Sequence, residues 1–171
     1  MRANAWDETA ADRDSLDDFD SVYEAYYQDV YRAVRAIVLD LALAEDITQN
    51  TFLKAYRHRA RYRSTGRLGG WLHRIAVREA ISSLRWRDLH DRLLLAIQLK
   101  VRQPVPDPTL GGLLASTLHR LNPGTRAAVI LHYYHGYRYR EVAEILGIPE
   151  GTVATRIANG LRRMKQVLSS E

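Results

Sequence analysis

Arg74, Arg78, Ser82 and Arg85 are spaced so that, on a helix, they fall along one stripe and line up three guanidinium groups. A row of permanently charged, planar forks suits pairing with successive phosphates of a nucleic-acid backbone. Just upstream, Arg61, Tyr62, Arg63, Ser64 and Arg67 lead to Trp71, so cations are interleaved with aromatic rings. That mixture fits unpaired or extruded bases, which stack on rings while arginine follows the phosphates. The same residues also read as a solvated basic face, with Tyr62 and Trp71 as core anchors.

Two further sets carry binding chemistry. Thr152, Thr155, Arg156 and Asn159 face outward on a helix expected from about Glu150, after a turn at Gly147-Ile148-Pro149. A short helix, a glycine turn and a second helix form a helix-turn-helix pattern, in which the second helix enters the major groove and reads base edges. Generic helical hairpins share that shape. In the other set, Asp46, Gln49 and Asn50 surround Phe52, an aromatic among hydrogen-bonding groups, which fits a partner-protein surface as well as an ordinary exposed helix.

Catalytic chemistry is thin. The histidines His58, His73, His90, His119, His132 and His135 are scattered, and only His132 and His135 are close, with no third ligand nearby in sequence. No metal site is expected from that spacing. There is no Walker loop, dinucleotide fingerprint or nucleophile elbow, and Gly66, Gly69 and Gly70 are too irregular for a phosphate cradle. The reading is of no enzyme, no catalytic residue and no cofactor. The absence of cysteine excludes disulfides, thiolate zinc sites and cysteine nucleophiles, and fits a reducing, cytoplasmic location.

These groups must be held by helices. Apolar residues recur at helical spacing through Phe19, Tyr23, Tyr26, Val30, Val34, Ile37 and Leu41. A second helix is expected from Ala44 to about Arg59, a third from Gly70 to about Arg87, and a further amphipathic one over 88–102. Pro104, Pro106 and Pro108 then favour an extended spacer. Asn122-Pro123 is a helix start, since Asn caps free amides and Pro suits the first turn. No alternating run supports a sheet. The expectation is an all-α fold: an acidic, disordered leader over 1–18, a helical domain over 19–95, a Pro-rich linker over 96–112, and a helix-turn-helix domain over 113–171.

Charge follows the same divisions. The 171 residues carry a net +5, yet residues 54–87 alone hold ten bases and one acid, while residues 1–20 hold seven acids and two bases. Such a basic block is a polyanion footprint. The most apolar stretch, 36–44, is interrupted by Asp40 and falls short of the ~18 apolar residues that span a bilayer, so no membrane insertion is expected.

The chain resembles the extracytoplasmic-function sigma factors of the sigma-70-type family over roughly residues 19–167. The match rests on Ala44-Glu45-Asp46-Ile47-Thr48-Gln49-Asn50-Thr51-Phe52-Leu53 and Gly70-Trp71-Leu72-His73-Arg74-Ile75-Ala76 at one end. At the other it rests on Leu121-Asn122-Pro123, the run from Glu141 to Pro149, and Gly151-Thr152-Val153. Two motif sets in order across a linker are far more specific than either alone. The resemblance implies an alternative sigma factor with core RNA polymerase and promoter DNA as partners. It implies polymerase docking at Asp46, Gln49, Asn50 and Phe52, and −10 contacts at Arg61, Tyr62, Arg63, Ser64, Arg67, Trp71, Arg74, Arg78 and Arg85. It implies −35 contacts at Thr152, Thr155, Arg156 and Asn159, and an anti-sigma factor that wedges between the lobes. The family usually has Asn and Asp where this chain has Arg78 and Ser82, and Lys and Arg where it has Ala154 and Asn159. A free-standing helix-turn-helix regulator is the alternative function.

Overall fold

Asp18 starts the first helix: its carboxylate accepts from the Ser21 amide at 3.3 Å and the Ser21 hydroxyl at 2.6 Å. This helix, α1 (Phe19–Val38), ends where Leu39 turns left-handed at φ 56°. Asp40 follows at once and caps the next, α2 (Leu41–His58), accepting from the Leu43 amide at 3.1 Å. The cap is the start signal, so α2 begins three residues before the apolar pattern alone suggests. Thr48 and Thr51 are buried on α2, with hydroxyls donating to the carbonyls of Ala44 and Ile47 at 2.7 and 2.8 Å.

The computed structural model describes residue 16 and residues 18–62, 68–96 and 111–169, and no strand occurs among them. The acidic leader up to residue 15, the three linker prolines, and Arg63, Ser64 and Arg67 lie outside the described residues. After a 3-10 turn at Arg59–Arg61, α3 (Leu68–Ala96) runs as one helix of 29 residues, about 43 Å long. The two separate helices expected over this stretch are therefore one. Neither Gly nor Pro interrupts it near 87–88, and Arg92 pairs with Asp88 at 2.9 Å one turn apart.

The C-terminal lobe comprises α4 (Gly112–His119), α5 (Pro123–Val129), a π-helical turn (Ile130–Tyr134), α6 (Tyr139–Leu146) and α7 (Glu150–Leu168). Asn122 caps α5 by accepting from the Thr125 amide at 2.8 Å, with Pro123 in the first turn. Gly147 ends α6 at φ 65°, a left-handed conformation that a side chain would strain, and Pro149 leads directly into α7.

The lobes share one core. Val30, Val34 and Ile37 of α1 and Leu72, Ala76 and Val77 of α3 belong to the same buried cluster as Leu131, Val142, Val153 and Ile157. A smaller cluster joins Leu39 to Leu118, Leu121 and Val129. Each fully buried aliphatic side chain stabilises the fold by about 1.5–3 kcal/mol, and the shared cluster joins the lobes. No described helix is long and apolar enough to cross a membrane.

Candidate nucleic-acid interface

The arginine stripe on α3 divides into two environments. Arg74 is half-buried, with its Nε buried and without a hydrogen-bond partner. Arg78 is exposed but reaches the C-terminal lobe, its Nη2 only 3.4 Å from where a Cβ on Gly147 would stand. Ser82 and Arg85 are exposed and lie beyond Ala80, the last buried residue of α3. The stripe thus begins against the helix-turn-helix and ends in solvent.

Upstream, Arg61 is exposed on the 3-10 turn, while Tyr62 and Trp71 are half-buried with ring centroids 5.0 Å apart. Both rings pack against the core yet keep an accessible side, which suits a platform on which a base can stack. Parts of the basic block are neutralised internally: Lys54 pairs with Glu79 at 2.6 Å, and Arg87 with the capping Asp40 at 2.8 Å. Arg59 lies over the Tyr56 ring, 3.9 Å from its centroid. Arg57, Arg61, Arg78 and Arg85 keep exposed cationic heads.

On α2, Asp46, Gln49 and Asn50 are exposed. Phe52 is not part of that surface. Only 3% exposed, its ring meets those of Tyr23, Tyr27 and Phe19 at centroid distances of 5.0, 5.9 and 6.3 Å. The polar neighbours that suggested a surface anchor occupy the other side of the helix, and three aromatics of α1 cover Phe52. The apolar residue on the open side is Leu53, 54% exposed and one helical turn beyond Gln49 and Asn50. The spacing 46, 49, 50, 53 was the signal that identifies it.

The face of α7 is graded. Thr155 and Asn159 are exposed; Thr155 donates to the Gly151 carbonyl at 2.9 Å, and Asn159 accepts from Arg162 at 3.1 Å. Thr152 and Arg156 are half-buried. The Arg156 guanidinium lies over the first turn of α5, where a Cβ on Gly124 would stand 2.8 Å from Nη1. Arg162, exposed beside Asn159, adds a cation that the sequence reading did not single out.

Between the lobes lies a buried polar group. His73 of α3 is fully buried; its Nδ1 is 2.9 Å from the Tyr137 hydroxyl and its Nε2 is 3.3 Å from Asp29 Oδ2 of α1. His135 Nδ1 approaches the same carboxylate oxygen at 3.4 Å. Burial, reinforced by His135, pulls the His73 imidazole down to about 4, with Asp29 opposing. Elsewhere between the lobes, the buried Arg126 donates to the carbonyls of Ile37, Leu118 and Leu121. Burial lowers its guanidinium to about 10, which leaves it charged at neutral pH.

Comparison with known proteins places two family descriptions on these lobes. Residues 22–89 match the model of Sigma-70 region 2, and residues 112–164 that of Sigma-70, region 4. The chain is 30% identical over 171 residues to the ECF RNA polymerase sigma factor SigE of Mycolicibacterium smegmatis, covering 95% of this chain and 66% of that one. It is 30% identical over 165 residues to the RNA polymerase sigma factor CarQ of Myxococcus xanthus, covering 91% and 92% of the two chains. The fold is similar to that of the sigma factor RpoE from Bartonella quintana, solved with the anti-sigma factor NepR. The TM-score is 0.75 at 22% identity, covering 89% of this chain and 97% of that one.

Proposed function

The chain belongs to the sigma-70 family, in its extracytoplasmic-function branch, and we propose that its three exposed faces divide the work of promoter recognition. As an alternative sigma factor it directs promoter recognition and transcription initiation. Family members are regulators rather than enzymes, so the polymerase carries the nucleotide chemistry.

In this reading the α2 stripe of Asp46, Gln49 and Asn50, joined by Leu53, docks on core polymerase. Leu53 replaces Phe52 as the apolar anchor, because a buried ring cannot be offered to a partner. Arg61, Tyr62 and Trp71, with the adjoining Arg63, Ser64 and Arg67, receive unpaired −10 bases, while Arg74, Arg78 and Arg85 follow the backbone. The α7 face of Thr152, Thr155, Arg156 and Asn159, extended by Arg162, reads the −35 duplex. Favourable contacts made only with separated strands drive melting. The domains divide at 19–95 and 113–171, with the linker over 96–112 crossing the polymerase between them.

The observation that carries this reading is that Arg78 of the −10 stripe lies against Gly147 of the helix-turn-helix turn. In this reading the lobes, docked in this way, do not engage both promoter elements together. We infer that docking is the resting state, that core polymerase separates the lobes, and that an anti-sigma protein, such as that bound by RpoE of Bartonella quintana, holds them inactive.

Run-off transcription on genomic fragments is the test. Core enzyme plus this chain should initiate at a defined set of start sites, while core enzyme alone should not. Tight, specific duplex binding by the free chain, with no selective initiation when core enzyme is added, would instead establish a free-standing regulator.

A further inference from the structure

Asp29, His73 and His135 meet where the lobes join, and one ligand atom of each lies within 4.8 Å of the other two. His73 Nε2 and His135 Nδ1 stand 3.3 and 3.4 Å from the same carboxylate oxygen, Asp29 Oδ2. These separations are long for charge-assisted hydrogen bonds. Asp29 Oδ2, His73 Nε2 and His135 Nε2 are buried without a hydrogen-bond partner. Buried polar atoms are nearly always satisfied, and here Asp29 Oδ2 and His73 Nε2 face each other without a well-formed bond, which leaves a place for a partner between them; the orphaned Nε2 of His135 is the ring nitrogen other than the one that approaches Asp29. The two separations from Asp29 Oδ2 fit a cation: ligands held about 2.0–2.1 Å from a tetrahedral Zn²⁺ stand about 3.3 Å from one another, and the two imidazoles each offer a nitrogen within 4.8 Å of the other.

The surroundings have the other features of a metal site. The second nitrogen of His73 is 2.9 Å from the Tyr137 hydroxyl. When Nδ1–H donates to that oxygen, the Nε2 lone pair faces Asp29, the outer contact that fixes tautomer and ring orientation in metal-binding histidines. Both imidazoles are essentially inaccessible, with side chains 0% and 1% exposed, whereas the Asp29 side chain is 24% exposed and gives an entry path. Nitrogen, nitrogen and carboxylate oxygen are donors for zinc and its neighbours in the first transition row rather than for Mg²⁺ or Ca²⁺.

We propose that Asp29, His73 and His135 form a binding site for a divalent transition metal, Zn²⁺ foremost, that ties the N-terminal lobe to the C-terminal lobe. Asp29 lies on α1 and His73 on α3, whereas His135 follows the π-helical turn of the other lobe. Separating the lobes breaks the ligand set, so a bound metal favours the docked state by its difference in affinity for the two states. Metal binding and lobe docking stand independently of the assigned function. That the metal thereby restrains promoter binding rests on the sigma-factor reading above.

The full chain, stripped with a chelator, is titrated with Zn²⁺ and separately with Co²⁺. Calorimetry should give one site per chain, Tm should rise with free Zn²⁺, and Co²⁺ should develop the visible bands of tetrahedral nitrogen and oxygen coordination. Asp29→Asn and His135→Gln should each weaken the site by at least about tenfold. A variant with His58, His90 and His119 all changed to Gln, which alters only exposed histidines, should bind as the parent does. Should the interface variants fail to fold, the Co²⁺ spectrum of the parent decides, since purely octahedral, water-like bands overturn the proposal. So does a Tm insensitive to Zn²⁺, or a site lost in the exposed-histidine variant and kept in Asp29→Asn. A chain that binds zinc but never initiates transcription refutes only the functional reading; one that initiates but binds no zinc refutes only this site.

Discussion

Arg126 of α5 donates through Nη1 to the carbonyl of Ile37, in the last turn of α1, and thereby closes a helix end in the other lobe. Its Nε and Nη2 hold the Leu118 and Leu121 carbonyls, each at 2.9 Å, so one buried guanidinium satisfies three backbone acceptors. Arginine's rigid fork makes this geometry available where lysine's single ammonium cannot. Arg126→Met keeps much of the bulk but strands the Ile37 and Leu121 carbonyls, whereas the Leu118 carbonyl keeps the Leu121 amide at 3.0 Å. It should lower the unfolding free energy by about 3 kcal/mol, with each unsatisfied buried acceptor costing about 1–3 kcal/mol. A urea midpoint equal to the parent's would mean that the three bonds contribute nothing in solution.

Phe52 and Leu53 are neighbours with opposite roles. Phe52→Ala empties a site walled by Tyr23, Tyr27 and Phe19 and should cost about 3–5 kcal/mol of stability in a denaturant melt. Leu53→Asp alters an exposed position and should leave that melt within about 0.5 kcal/mol while reducing capture by immobilised core polymerase. Equal loss of capture by two variants that both melt like the parent would contradict the assignment.

The two glycines at the α5–α7 crossing should respond differently to alanine. A Cβ on Gly160 would stand 2.9 Å from methyl carbons of both Thr125 and Val129, inside a packed crossing that cannot give way. Gly160→Ala should therefore destabilise by about 1–3 kcal/mol. A Cβ on Gly124 meets instead the flexible end of Arg156, which can swing into solvent. Gly124→Ala should melt nearly as the parent does, with −35 duplex affinity of the holoenzyme unchanged or raised. Comparable thermal shifts for both variants would contradict this packing.

Arg85 and Arg78 are each expected to contact a backbone phosphate once polymerase has separated the lobes. Replacing either by Ala should reduce the slope of log affinity against log salt for promoter binding by about 0.7–0.9, the lower value applying to a separated strand. The effect should be uniform across promoter sequences, because phosphates carry no base identity. A salt slope that does not move for Arg85→Ala removes it from the interface.

What the sequence revealed was local. Asn122-Pro123 announces α5, and the Gly147-Ile148-Pro149 turn announces α7 at Glu150, because capping and turn chemistry are written within a few residues. What stayed hidden depends on contacts between distant segments. Phe52 is buried by aromatics some thirty residues earlier, which its own polar neighbours could not foretell. Asp40 both caps α2 and binds Arg87, 47 positions away. The histidine pair that drew notice at 132 and 135 separates in the structure. His132 Nδ1 meets the Tyr137 carbonyl at 2.8 Å, while His135 turns to Asp29 and towards His73. Leu39, a left-handed residue that is not glycine, ends α1 without any local signal.

The half-buried Arg74 also bears on how the molecule is distributed in a cell. A chromosome offers about 10⁶–10⁹ competing non-specific sites, each attractive to any unshielded row of cations. In a chain folded on itself the half-buried Arg74 is withheld from that row while Arg78 and Arg85 stay exposed, so fewer cations are offered to bulk DNA. On the function proposed above, each cation withheld in this way weakens non-specific binding and leaves more of the chain free for polymerase.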